Sequence, residues 1–271
     1  MSPTFSLSLD PRTILRICGP IVIVTVLVGA GADVALTTYP GETTERVLQR
    51  LSLATDTSVP TFLAATLLAG CAILLAASAR AEAVRGHKAG AWWLLAGIFG
   101  ILALDEVAML HELSGKLLEA LVPAVGQWGG LVHYSWVLVG IPAVLLLGIV
   151  LGRWFFRLDA KTRGPFALAA ILFLSGAIGV EMMNGAIDEA VMGRSPRYAL
   201  STAVEEGLEF AGTLAFLHAL VARLARAGVQ VTIRFRGCEA AGAAGRATRR
   251  SGPSSPAAAN DQPGWRTGSW P

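Results

Sequence analysis

Six long apolar runs, separated by short charged loops, constrain this chain more than any other feature: residues 17–36, 62–79, 91–110, 136–151, 165–180 and 200–222. A helix that crosses a hydrocarbon core of ~30 Å needs roughly 20 such residues. Charged residues make up only 15% of the chain, against roughly 25% in a soluble domain, so lipid is the main solvent. The predicted fold class is an all-α, polytopic transmembrane helix bundle of six spans. Its fourth and fifth runs are short, and their ends carry a tolerance of several residues. Arg12 and Arg16 precede the first run without a cleavage site, which predicts a retained helix and not a signal peptide.

Orientation follows from the basic residues. Seventeen of the 22 lysines and arginines fall on the side that holds Arg12, Arg85, Lys161 and everything from Arg223 onward. Only Arg46, Arg50, Lys116, Arg194 and Arg197 fall on the other. The basic side is predicted to be cytoplasmic, giving a multi-pass protein of the inner (plasma) membrane with both termini inside. The predicted organisation is a cytoplasmic N-terminus (1–16), a six-span domain (17–227) and a cytoplasmic tail (228–271). The tail, rich in Ala, Gly, Ser, Pro and Arg, lacks an apolar face and is expected to be disordered. A pI near 9.0 does not argue for nucleic acid as a partner, because the basic residues sit in loops between apolar runs. The cysteines, Cys18, Cys71 and Cys238, have no CxxC spacing and support neither a disulfide framework nor a thiolate metal site. Segments 42–53 and 113–122 carry helical apolar spacing and are expected to lie at the interface or to extend a span. Gly148 and Gly152 form a GxxxG that permits close helix contact.

The acids are distributed against the arginines: 14 of 19 lie on the external side or in the outer halves of the spans. Counting residues from the span ends at 1.5 Å each places Asp105 ~20 Å, Glu181 ~22 Å and Asp33 ~24 Å from the inner face. Glu205 and Glu209 lie ~8 and ~13 Å from the outer edge. Helical spacing then groups them: Asp105 with Glu112, Glu181 with Asn184 and Asp188, and Glu205 with Glu209. Glu106, His111, Glu189 and Glu206 widen these faces. Each ionised group facing lipid costs ~2.5–3.5 kcal/mol, so the stripes must face one another or a water-filled cavity. There they share protons with raised pKa values or are neutralised by a cation. Any one of these acids is more simply an interhelical hydrogen-bonding group; the convergence of three stripes favours a site. The candidate cation or proton site is therefore Asp105, Glu106, His111, Glu112, Glu181, Asp188, Glu205, Glu206 and Glu209, with Asp33 and Asn184 as further contributors.

His111 is either a ligand or a helix-end cap. His218, half a turn around its helix from Glu209, points away from the acids and reads as structural; His87 is a loop residue and His133 interfacial. The oxygen-rich set suits Mg, Ca or Mn better than Zn, so the candidate cofactor is a divalent cation. No HExxH, GxSxG or phosphate loop is present. The leading functional expectation is an outward-facing site that binds a cation or protons for transport or for coupling to a small solute. Two others stay open: a metal-dependent membrane hydrolase or transferase acting on lipid or a periplasmic substrate, and an assembly protein whose acids are interhelical glue.

The segments LALDEVAMLHE (102–112), GAIGVE (176–181) and VEEGLEFAG (204–212) resemble an uncharacterised family of bacterial six-helix membrane proteins. Its pattern is an LDE…HE motif, a glycine-rich segment with a glutamate, and an EExxE-like motif. LATDTSVPTFLAATLL (53–68) resembles the family's entry to its second span, where the usual pattern is close to ExNxPT; here Asp56 and Ser58 stand in place of the acid and the amide. The resemblance covers about residues 10–225. It implies the six-helix architecture and the choice of acids, and no activity.

Overall fold

The structure, a computed structural model, describes residues 4–7, 10–38, 42–191, 195–229 and 231–234. Two short strands, β1 (Thr4–Leu7) and β2 (Val231–Arg234), pair with each other. β2 falls within the stretch assigned to the tail; residues 235–271 lie outside the described residues. The stretch Leu7–Val231 forms one compact unit, mostly helical. Its helices are α1 (Pro11–Thr38), α2 (Glu42–Gln49), α3 (Val59–Val84), α4 (Gly90–Ala108), α5 (Leu110–Leu121), α6 (Val137–Phe155), α7 (Ala160–Leu174), α8 (Glu181–Val191) and α9 (Pro196–Arg226). Among the described residues, six helical stretches are long and apolar enough to cross a membrane: α1, α3, α4, α6, the run Ala160–Ala190, and α9.

Sequence sets the helix starts locally. Ser58 accepts the N–H of Thr61 ahead of α3, and Pro60 occupies the first turn. Ser195 caps α9 through the N–H of Tyr198, with Pro196 behind it. In both, a side-chain oxygen meets an orphan donor and the proline gives up an N–H that has no partner there. Asp159 caps α7 through Thr162, whose hydroxyl lies 2.8 Å from the carboxylate; that hydrogen bond holds the Asp159 pKa below its ordinary value.

The continuous third span expected through Leu110 is interrupted. α4 ends at Ala108, and Met109 adopts a left-handed conformation with φ 50°. α5 then leaves in a new direction as a separate amphipathic helix, as the apolar spacing of 113–122 suggests. The fifth span contains a second irregularity. Between α7 and α8 the backbone widens into a π-helical turn, Ser175–Val180; such turns recur at functional sites.

α9 is the central helix, packing against α1, α3, α7 and the π-turn. Two close approaches bring it to the fifth span. A Cβ on Gly212 would stand 2.6 Å from the backbone nitrogen of Phe173, and one on Gly176 would stand 2.7 Å from the carbonyl oxygen of Glu205. α6 stands apart, in contact chiefly with α5 and the π-turn. A Cβ at Gly148 or Gly152 on α6 would meet nothing within 4 Å among the described residues, so their GxxxG makes no close contact with them.

At the end of the unit rich in arginine, α3, α4 and α9 are fastened by charge. Arg223 reaches Glu82 at 2.5 Å, and its guanidinium lies 3.9 Å from the centre of the Trp92 ring. Arg85 and His87 also pair with Glu82. Trp92 in turn meets Trp154 edge-on at 4.9 Å.

Candidate functional site

A cavity of about 1320 Å³ opens between α4, α6, α7 and α9. Asp105, Glu106, His111, Glu112, Glu181, Glu205, Glu206 and Glu209 all line it, at the end away from the arginines. The stripe of α9 explains the gathering: Tyr198, Thr202, Glu205 and Glu209 recur at helical spacing and share a face. The π-turn delivers the partner. Because Gly176 lets it lie against α9, the carboxyl of Glu181 stands within hydrogen-bonding reach of Glu205. Two carboxylates repel at that range, so the contact calls for a proton or a cation between them. Trp136 Nε1 donates to Glu181 at 3.1 Å, and Asn184 donates to Glu205. A smaller void of about 10 Å³ lies where Glu106, Glu206 and Glu209 meet Leu68 and Phe210, close to the least space that one water requires.

Three of the eleven sequence-selected residues are elsewhere. Asp33 accepts the N–H of Leu53 at 3.0 Å and so pins the segment after α2 to α1. Asp188 accepts from the hydroxyl of Tyr134 at 3.3 Å and lies 3.7 Å from His133. Asn184 is buried behind Glu205, with its Oδ1 unpartnered among the described residues. Glu189, which the same face suggested, accepts from the backbone N–H of Gly130. His218 does not line the cavity.

The break at Met109 changes how Asp105 and Glu112 are related. They are not one stripe on one helix, since α4 and α5 diverge between them. Asp105 instead closes the break: its carboxylate accepts the backbone N–H of His111 at 2.7 Å and stands 3.1 Å from His111 Nδ1. Burial pulls the His111 pKa down, but the hydrogen bond and charge of Asp105, with Glu181 and Glu112 beyond, outweigh it and the net direction is up. A histidine with a folded pKa above the ~6.5 of an unfolded chain stabilises fully below that value and loses the contribution as pH climbs through the folded one. His111→Gln is therefore expected to lower the melting temperature most in acid and progressively less as pH rises between about 5 and 9. Melts of both proteins across that range check this; a gap that widens with pH would contradict the pairing.

Several lining residues escape the sequence reading. Asp56 is one; burial and the charge of Glu112 push its pKa up. Glu119 accepts from Ser135 at 2.5 Å. Tyr134 bonds Tyr198 at 3.1 Å; burial and that bond raise the pKa of the Tyr134 phenol, which stays neutral. Tyr198 and Thr202 were legible, being two turns and one turn before Glu205 on the same face. Tyr134 and Ser135 were not, because the loop that holds them has no periodicity.

Among the described residues, no group of three or more His, Cys, Asp or Glu side chains is arranged to hold a metal ion. Nor does any lysine or arginine among them pair with Glu106, Glu181, Glu205, Glu206 or Glu209. Comparison with curated proteins and with solved structures finds no match. A family model does match, over residues 20–224, nearly the extent of the resemblance carried by the three acidic motifs. The chain belongs to the family described as Domain of unknown function (DUF8692).

Proposed function

We propose that this integral membrane protein carries a proton-binding carboxyl site that serves a solute cavity open at the external face of an inner membrane. The Glu181–Glu205 contact carries the reading. Two acids held together in a mostly apolar cavity, and paired with no lysine or arginine among the described residues, are neutralised most simply by shared protons. The divalent-cation version is less favoured because no ligand group is arranged for one among the described residues. The cavity wall beyond the acids offers Phe, Leu and Trp and, among the described residues, no ionisable side chain toward the arginine-rich end. That supports protonation coupled to binding at one face over a proton wire through the membrane.

Infrared spectroscopy tests the reading. A protonated-carboxyl band is expected at neutral pH in the wild type and lost in Glu205→Gln. A reporter fused at Gln127 is expected to read as external. Absence of the band, or a cytoplasmic Gln127, would sink the proposal. A second reading has one observation in its favour: His111 lines the cavity, is oriented by Asp105 through Nδ1, and has no partner at Nε2 among the described residues. That is the arrangement of a general base, which fits an enzyme acting on lipid. Lipid turnover abolished by His111→Ala, with the carboxyl band intact, would favour it.

A further inference from the structure

The cavity has a long portion that the carboxyl chemistry does not use. Beyond the acids its wall is apolar, formed by Phe99 and Leu102 of α4, Leu147 of α6, Phe173 of α7 and Phe216 of α9. On α6 the lining continues from Trp136 to Phe156, ~30 Å of helix at 1.5 Å per residue and so about the depth of a hydrocarbon core. The volume, about 1320 Å³, exceeds the ~300–1,000 Å³ of ordinary small-molecule sites. The flank is open as well. Leu146 and Val150 line the cavity and are nevertheless 62% and 57% exposed, and an apolar flank of a membrane span borders lipid.

The polar end asks for a donor. Glu106, Glu181, Glu205, Glu206 and Glu209 gather there, and among the described residues none of them pairs with a lysine or arginine. A span from a second copy would bring none to that depth, since no Lys or Arg occurs in 17–36, 62–79, 91–110, 136–151, 165–180 or 200–222.

We propose that the cavity takes a long-chain amphiphile with an ammonium head, which enters sideways from the bilayer beside α6 and places its head among Glu181, Glu205 and Glu209. The inference rests on the proton-binding reading, because the ammonium replaces a proton that the carboxyls otherwise share. Moving the tail from bilayer to cavity brings little hydrophobic gain, lipid tails being as apolar as leucine. The tail provides the route and the alignment, and the head provides the selectivity. For one proton exchanged, affinity rises about tenfold per pH unit.

The test uses the full chain in phosphatidylcholine nanodiscs and hexadecylamine with a photoactivatable diazirine in its chain. Crosslinks are expected on the cavity faces of α4, α6 and α7. Unlabelled hexadecylamine should compete at least tenfold better than palmitate or hexadecanol, and better at higher pH. Glu209→Gln should weaken labelling. Leu147→Trp, which fills the apolar shaft and touches no acid, should block labelling and leave the infrared band in place. Equal competition by palmitate would overturn the inference, as would equal competition by a short-chain amine, which would make the ligand a solute from water. Crosslinks between two copies through the α6 flank would overturn it too, by making that flank a dimer interface. Each of these results leaves the protonated-carboxyl band untouched; a wild type without that band overturns the proton-binding reading itself.

Discussion

Replacing Arg223 by methionine is expected to cost about 3 kcal/mol of stability, toward the lower end of the ~3–5 kcal/mol for breaking a buried pair. Glu82 and Arg223 are 14% and 13% exposed at the side chain, so neither charge is well solvated once its partner is gone. The cost stays at the lower end because Arg85 at 3.6 Å and His87 at 2.8 Å still offset the Glu82 charge. The cation–π contact with Trp92 is lost as well, and such contacts contribute up to ~2 kcal/mol when desolvated. The double variant Glu82→Gln, Arg223→Met is expected to recover most of the loss, since replacing a whole buried pair is often neutral. Melting in detergent of the two single variants and the double variant measures this. A double variant as unstable as the sum of the singles would mean that the contact does not fasten α3 to α9.

The second large effect is expected where the fifth span meets α9. Gly212→Ala places a methyl 2.6 Å from the Phe173 nitrogen and 2.8 Å from its Cβ. Backbone atoms cannot turn aside as a flexible side-chain end does, so one of the two helices has to shift. Overpacking of this kind costs typically ~1–3 kcal/mol, more than the ~1 kcal/mol that alanine gains over glycine within a helix. Gly176→Ala meets the Glu205 carbonyl oxygen in the same way. It carries an additional signature, because the shift draws Glu181 from Glu205 and should remove the protonated-carboxyl band. Gly179→Ala, with nothing within 4 Å, is the control and should be neutral or slightly stabilising. Gly176→Ala and Gly179→Ala behaving alike would refute the close approach.

The spans were legible because lipid imposes a crude rule, about 20 apolar residues in succession; the two runs that fall short of it, 136–151 and 165–180, are completed in the structure by the longer helical stretches Val137–Phe155 and Ala160–Ala190. The acid stripes of α9 were legible for a related reason: Glu205 and Glu209 lie on one regular helix, where spacing translates directly into direction. Regularity fails at two points, and there sequence reading went astray. Left-handed backbone at Met109 carries no glycine to announce it, so Asp105 and Glu112 read as one stripe. The π-turn before Glu181 lies in a glycine-rich stretch that also reads as ordinary helix. Asp33 shows a different limit. Its depth was suggestive, but a carboxylate that receives a loop N–H and one that faces a cavity look identical in a sequence. Tyr134, Ser135 and Trp136 arrive from an aperiodic loop, and nothing local signals that their polar atoms reach acids on other helices.

The bend at Met109 ties together two things that are usually separate. Asp105 holds both sides of it: its carbonyl takes the N–H of Met109 at 2.7 Å, and its carboxylate takes the N–H of His111. The carboxylate is thus at once a wall of the cavity and the clasp that keeps α5 in place. α5 carries Glu112, Gly115, Lys116 and Glu119 to the mouth of that cavity. Losing the Asp105 carboxyl would therefore change the cavity wall and release α5 in a single step.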